Sequence, residues 1–118
     1  MLTKQEAITV CKSFRNVYED YPFDDNWAVL RHIDNNKSFA FIFNHNGQIW
    51  INVKAEPMSA EFWRQIYPSV VPAYHMNKKH WIGIILDGSM ADDEIKNLIF
   101  ESYNLTLPPK LKNKLKNS

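Results

Sequence analysis

Between Ser38 and Ala55 the chain reads SFAFIFNHNGQIWINVKA, two apolar runs joined by Asn46-Gly47. Both turn residues tolerate the positive φ of a tight two-residue connection, so the stretch predicts an antiparallel hairpin. The second run alternates, with Ile49, Ile51 and Val53 on one side and Trp50, Asn52 and Lys54 on the other. One side is therefore expected on a core and the other facing water or a partner. In the first run Phe39, Phe41 and Phe43 share one side and Ala40 and Ile42 the other. Both sides are apolar, so which one is buried stays open.

Other elements arrange themselves around this hairpin. Thr3 followed by Glu6 fits a capping box, in which each side chain satisfies a backbone N–H at a helix start. Ala7, Val10, Cys11, Phe14, Val17 and Tyr18 then recur at helical spacing, predicting a helix that runs to about Tyr18. An acidic connector, Glu19 to Asp25, leads into a strand from Trp27 to Ile33, which turns at Asp34-Asn35-Asn36-Lys37. The connector reads as a solvated turn; its paired carboxylates also suit a divalent cation. After the hairpin, Ser59 is a candidate N-cap for a short helix, Ala60 to Tyr67, with Phe62, Trp63, Ile66 and Tyr67 largely on one side. Two further strands follow, then a last helix capped at Ser89 with Ile95, Leu98, Ile99 and Ser102 facing inward. The expected order is α-β-β-β-α-β-β-α: an α+β two-layer sandwich with a five-stranded antiparallel sheet. Residues 1–106 form one domain, and residues 107–118 a basic, flexible tail behind Pro108-Pro109.

A chain of 118 residues with 45% hydrophobic content suits one globular domain with a real core. No apolar run approaches the roughly 18 residues needed to span a membrane. The first ten residues lack the apolar core of a secretion signal. A lone cysteine, Cys11, cannot form an internal disulfide, which points to a reducing cytoplasm. The net charge of +1 is unevenly spread. Residues 1–101 carry 10 Lys/Arg against 13 Asp/Glu, whereas Lys110, Lys112, Lys114 and Lys116 stand in a tail with no acid. Any polyanion contact must therefore be local.

The local concentration lies in the last pair of strands, Val70 to Met76 and Trp81 to Asp87, whose expected tip is Asn77-Lys78-Lys79-His80. From Phe62 to Leu86 there is no Asp or Glu, yet Arg64, His75, Lys78, Lys79 and His80 are present. Such a tip reads either as an ordinary solvated turn or as a wing that lays ammonium groups along phosphates, with Asn77 and His80 adding hydrogen bonds. Leu111 and Leu115 in the tail sit four apart and suit a short amphipathic turn on a partner.

The catalytic inventory is thin. The four histidines and Cys11 show no HExxH or CxxC spacing, and His75 with His80 alone fall short of a zinc site. Ser59, Ser69 and Ser89 lack a nucleophile-elbow context, and three glycines make no phosphate loop. Cys11 falls on the apolar stripe and reads as core. Neither an enzyme nor a cofactor or metal site is expected.

Tyr74-His75-Met76-Asn77-Lys78-Lys79-His80-Trp81, followed by Leu86-Asp87-Gly88-Ser89, resembles the signature of the MmcQ/YjbR family. Asn52-Val53-Lys54-Ala55-Glu56-Pro57 and Phe62-Trp63-Arg64-Gln65-Ile66-Tyr67-Pro68 are similar to its preceding segments. That resemblance implies a CyaY-like α+β fold, a "double wing" of hairpins and DNA binding. It carries over His75, Asn77, Lys78 and His80, with Lys79 at a variable place. The reading that results is a non-enzymatic cytoplasmic domain contacting nucleic acid, DNA foremost, mainly through its backbone. The contacts are expected from Arg64, His75, Asn77, Lys78, Lys79 and His80, with Lys110 and Lys112 of the tail alongside. The alternative is a protein-interaction adaptor, monomeric or weakly dimeric, using the sheet face or the second helix.

Overall fold

The computed structural model describes residues 1–116, with side chains through Lys112. The chain runs α1 (Lys4–Lys12), β1 (Val17–Asp20), β2 (Ala28–His32), β3 (Ser38–His45), β4 (Gln48–Lys54), α2 (Pro57–Ile66), β5 (Val70–Pro72), β6 (Trp81–Ile85), α3 (Asp92–Leu105) and α4 (Pro109–Lys116). One antiparallel sheet has the order β1-β2-β3-β4-β6-β5. The α+β class and the antiparallel sheet agree with expectation, but the sheet has six strands, not five.

The sixth strand comes out of the expected first helix. α1 begins as its sequence predicts, with both arms of the Thr3–Glu6 capping box formed. It ends early, at Lys12, and Asn16 takes the left-handed φ of 56° that a continuing helix forbids. The β-branched Val17 and aromatic Tyr18 then favour extended chain, and Val17–Asp20 pairs with His32–Val29 as an edge strand. Glu19 and Asp20 place charge on this edge, and Pro72, which has no N–H to donate, closes the other at β5. Two caps also shift. Pro57 occupies the first turn of α2 behind Glu56, and α3 is capped at Ala91 while the Ser89 amide bonds Asp87.

The hairpin at Asn46-Gly47 forms in the expected register, Phe43 opposite Trp50 and Ile42 opposite Ile51. One sheet face carries Ala40, Ile42, Ile51, Val53, Ile82 and Ile84 against α1 and α3. Phe39 joins this face rather than that of Phe41 and Phe43. Leu30 pairs with Ala40 but Arg31 with Ser38, so Phe39 is the extra residue of a β-bulge and its ring rotates to the helix side. There it packs near Tyr103, Phe14 and His32, with ring centroids 5.3, 6.2 and 5.1 Å away. Burying such a ring contributes about 1.5–3 kcal/mol. Cys11 is fully buried in the same core, and burial pushes its thiol up to about 12.

α3 presents Ile95, Leu98, Ile99 and Ser102 inward. The Ser102 hydroxyl donates to the Phe39 carbonyl at 2.6 Å and accepts from the Lys54 amide at 2.8 Å, bridging β3 and β4 just past the last pair of their ladder. Beyond α3, Leu107 is buried and Leu111 of α4 packs half-buried on the core. The expected pairing of Leu111 with Leu115, and the charges of Lys114 and Lys116, lie outside the described side chains. No helix among the described residues is long and apolar enough to cross a membrane.

His32 is fully buried, its Nε2 2.7 Å from Thr106 Oγ1 and its Nδ1 without a partner among the described residues. Thr106 spends its hydroxyl proton on backbone carbonyls of α3, so His32 Nε2 is the donor. Desolvation lowers the His32 pKa, with nearby Asp34 opposing that shift. The unfolded chain then binds the proton more readily than the native one. Stability is full above the unfolded value of about 6.5 and falls as pH drops below it, by at most ~1.4 kcal/mol per pH unit. Urea titrations between pH 4 and 8 should show this acid-side loss, and His32→Gln should flatten it.

Candidate functional site

The helix-free face of the sheet is aromatic. Val29, Phe41 and Phe43 are buried there, with Trp27, Trp50, Tyr74, Met76 and Trp81 packed around them. Alternation accounts for most of this set, since Phe41 faces Asn52, Phe43 faces Trp50 and Asn52 faces Gly83 across the ladders. Gly83 is small for a reason. A Cβ at that position would lie 3.1 Å from the Trp50 ring and 3.2 Å from Asn52 Oδ1.

Residues 73–80 cover part of this face. They form a turn-rich loop, not the continuation of two strands: β5 stops at Pro72, and β6 starts at Trp81. His75 adopts a φ of 61°, which reverses the chain. The loop is pinned from below by Asn52, whose Nδ2 donates to the Tyr74 carbonyl at 2.9 Å. Tyr74 in turn packs near His45 and His75, at 4.1 and 3.9 Å between ring centroids.

Several residues expected to contact a ligand instead build the loop. Asn77 Oδ1 accepts from the Lys79 and His80 amides at 2.9 and 3.3 Å, and the Asn77 carbonyl accepts from the Trp81 amide at 3.0 Å. The Lys78 ammonium turns back to the carbonyls of Ala73 and Met76, at 3.0 and 3.3 Å. Arg64 of α2 donates to the Lys78 carbonyl at 3.2 Å, which brings that guanidinium to the tip from fourteen residues away in sequence. Lys79 and His80 are exposed, and their side chains have no hydrogen-bond partner among the described residues.

The tail lysines are elsewhere. The Lys112 ammonium sits on the Leu105 carbonyl at the end of α3, and Lys110 is exposed on α4. This region borders the end of β2, where Asn35 holds the Thr106 carbonyl, so two strands, β3 and β4, separate it from β6. The acidic connector is occupied structurally. Asp20 pairs with Arg31 at 2.9 Å, Glu19 with Lys12 at 3.2 Å, and Asp24 Oδ1 accepts from the Asn26 and Trp27 amides. No three His, Cys, Asp or Glu side chains converge among the described residues.

Sequence reasoning missed the role of Asn52 and the aromatic face as a unit. The signal was present in the polar residue set between Trp50 and Lys54 on an otherwise apolar strand. α2 turns Phe62 and Ile66 outward: they are 52% and 47% exposed, and the helix packs mainly against the short edge pair β5 and β6.

The two lysines at the tip should separate experimentally. Lys78→Ala removes two loop-closing bonds and should cost about 1 kcal/mol in urea unfolding. Lys79→Ala should stay within about 0.5 kcal/mol of wild type.

Comparison with known proteins bears on this architecture. A family model described as YjbR matches residues 12–105. The Bacillus subtilis protein YyaQ, described as uncharacterized, is 35% identical over 118 residues, 90% of this chain and 99% of its own. YjbR of Escherichia coli K12, described likewise, is 37% identical over 79 residues, 65% of this chain and 67% of its own. A Deinococcus radiodurans crystal structure described as a DUF419 domain superposes with a TM-score of 0.84 at 28% identity, covering 98% of this chain and 89% of that one. A Pseudomonas syringae crystal structure gives 0.80 at 32% identity, covering 90% and 100%. With the six-stranded sheet, the loop over its aromatic face and the family match across nearly all of both, the chain belongs to the YjbR family.

Proposed function

We propose that this domain is a non-enzymatic nucleic-acid binder that contacts the phosphate backbone through the loop at residues 73–80 and the neighbouring turn of α2. The observation that supports it is the approach of Arg64 to Lys78. It sets Arg64, Lys78, Lys79 and His80 on one surface at the start of β6, within a stretch that holds no carboxylate from Phe62 to Leu86. Lys78, Asn77 and Arg64 hold the loop's shape, so Lys79 and His80 are the groups that reach phosphates. The body beyond this patch is net negative, which keeps the footprint small and the salt slope shallow, roughly 0.9 for each phosphate contacted. Lys110 and Lys112, set apart across the sheet, lie outside this contact, and the Lys112 ammonium is spent on the Leu105 carbonyl.

Fluorescence anisotropy with labelled duplex and single-stranded DNA over a salt series tests this. Lys79→Ala should weaken binding and flatten the slope of log K against log salt by roughly 0.9 on duplex. Lys110→Ala with Lys112→Ala should leave that slope nearly unchanged. Absence of wild-type binding at low salt, or an effect confined to the tail variant, defeats the proposal.

A second reading, an adaptor that pairs with another copy of itself, draws on α2. Met58, Phe62 and Ile66 lie four residues apart on one helix face and are 86%, 52% and 47% exposed. Sedimentation velocity over a concentration series should then show a weak dimer that Phe62→Asp abolishes. A wild-type protein that stays monomeric at every concentration removes this reading.

A further inference from the structure

The connector before β2 and the loop before β6 meet over the aromatic face and leave a cavity of about 430 Å³. Its walls are Phe23, Asp24 and Trp27 from the connector, Phe41 from the sheet, and His75 and Met76 from the loop. The arrangement of the rings is specific. Trp27 lies flat on Phe43, 3.8 Å away and 7° from parallel, so one of its faces is spent and its orientation is fixed. Phe23 stands at 86° to Trp27 and Phe41 at 70°, with centroids 6.4 and 6.3 Å away. Phe23 and Phe41 thus each stand across the plane of Trp27 as sides of a box, whose further wall, His75, lies 6.5 Å from Trp27 at 36°.

A box suits some ligands and not others. A flat nucleobase is best held between two parallel faces, and none of Phe23, Phe41 and His75 lies parallel to Trp27. A compact rounded group presents surface to all three rings at once. The charge at the rim selects further. Asp24 uses Oδ1 on the Asn26 and Trp27 amides, at 2.9 and 3.0 Å, which leaves Oδ2 unpartnered among the described residues. Asp25 follows it in sequence and adds a second negative charge to the connector. A cation is attracted both by this carboxylate and by the negative faces of the rings. Methylation of that cation matters, because an ammonium that keeps its protons loses hydrogen bonds to water on entering apolar walls. The Met76 thioether adds a polarizable contact.

We infer that this cavity binds a quaternary methylammonium head, with Trp27, Phe23 and Phe41 as the cage and Asp24 as the counter-ion. Such a head is carried by choline-type compounds and by trimethylated lysine, and the cage recognises what they share. The site is independent of the phosphate contact proposed above, since it uses neither Lys79 nor His80.

Isothermal titration of the full chain with choline tests the inference against 3,3-dimethylbutan-1-ol, the uncharged carbon isostere. Choline should bind saturably and the isostere at least ~10-fold more weakly. Asp24→Asn keeps the Oδ1 acceptor that holds the turn and removes only the charge; it should weaken choline roughly 5- to 30-fold. Phe23 is 67% exposed, so Phe23→Leu leaves the fold intact and should weaken choline by about 3- to 10-fold. Glycerophosphocholine and a trimethyl-lysine peptide identify the source: tighter binding of the first points to lipid-derived heads, and of the second to modified protein. Lys79→Ala should leave choline binding unchanged, which separates this site from the DNA contact. Equal affinity for choline and its isostere, insensitivity to both cage variants, or no binding by any of the three cations overturns it. Tighter binding of a nucleoside monophosphate than of choline does so as well.

Discussion

The Ser102 hydroxyl holds β3 and β4 in relation at the point where their ladder ends. Regular pairing runs from His45 and Gln48 as far as Ala40 and Val53 and stops there, at the residue where β3 also bulges against β2. A buried carbonyl and a buried amide would be orphaned there, at a cost of about 1–3 kcal/mol each. One hydroxyl from α3 satisfies both. The same contact fixes the height of α3 over the sheet, and so where Tyr103 and Thr106 meet Phe39 and His32. The bulge supplies an aromatic ring to the helix side and takes one away from the other. What remains on the open face is the set that frames the candidate sites.

On that open face, side chains that look like ligand contacts are largely committed to holding the chain. Asn52 reaches up to Tyr74, Lys78 reaches back to Ala73 and Met76, and Asn77 closes the turn. A loop of this length without regular structure keeps its shape only if its carbonyls find donors, and the side chains provide them. Charge and polarity in this segment therefore serve shape first. The groups left over, Lys79 and His80 at one end and the Trp27 box at the other, present different chemistry to solvent. The first favours anions and the second favours cations.

Much of the fold was legible because it follows from local rules. Asn46-Gly47, the alternation from Ile49 to Val53, the Thr3–Glu6 box and the inward face of α3 each depend on residues adjacent in sequence or one helical turn apart. The failures share a physical origin in longer-range competition. Val17 and Tyr18 fit a helical stripe, yet a left-handed Asn16 and the free edge of β2 draw them into a strand. Phe39 fits an alternating run, yet the bulge turns it over. The approach of Arg64 to the tip and the perpendicular rings around Trp27 depend on tertiary placement, which no spacing in the sequence encodes.

The distribution of tryptophans has an optical consequence. Trp27, Trp50 and Trp81 belong to the open face, while Trp63 packs against the helix-side core. Three of the four indoles thus share one neighbourhood, with Phe, Tyr and His rings between them. Near-ultraviolet dichroism and intrinsic emission from this protein are weighted toward that single surface. Disturbing the loop over it changes the spectrum strongly while the helices stay in place, so the spectrum reports on that surface more than on global unfolding.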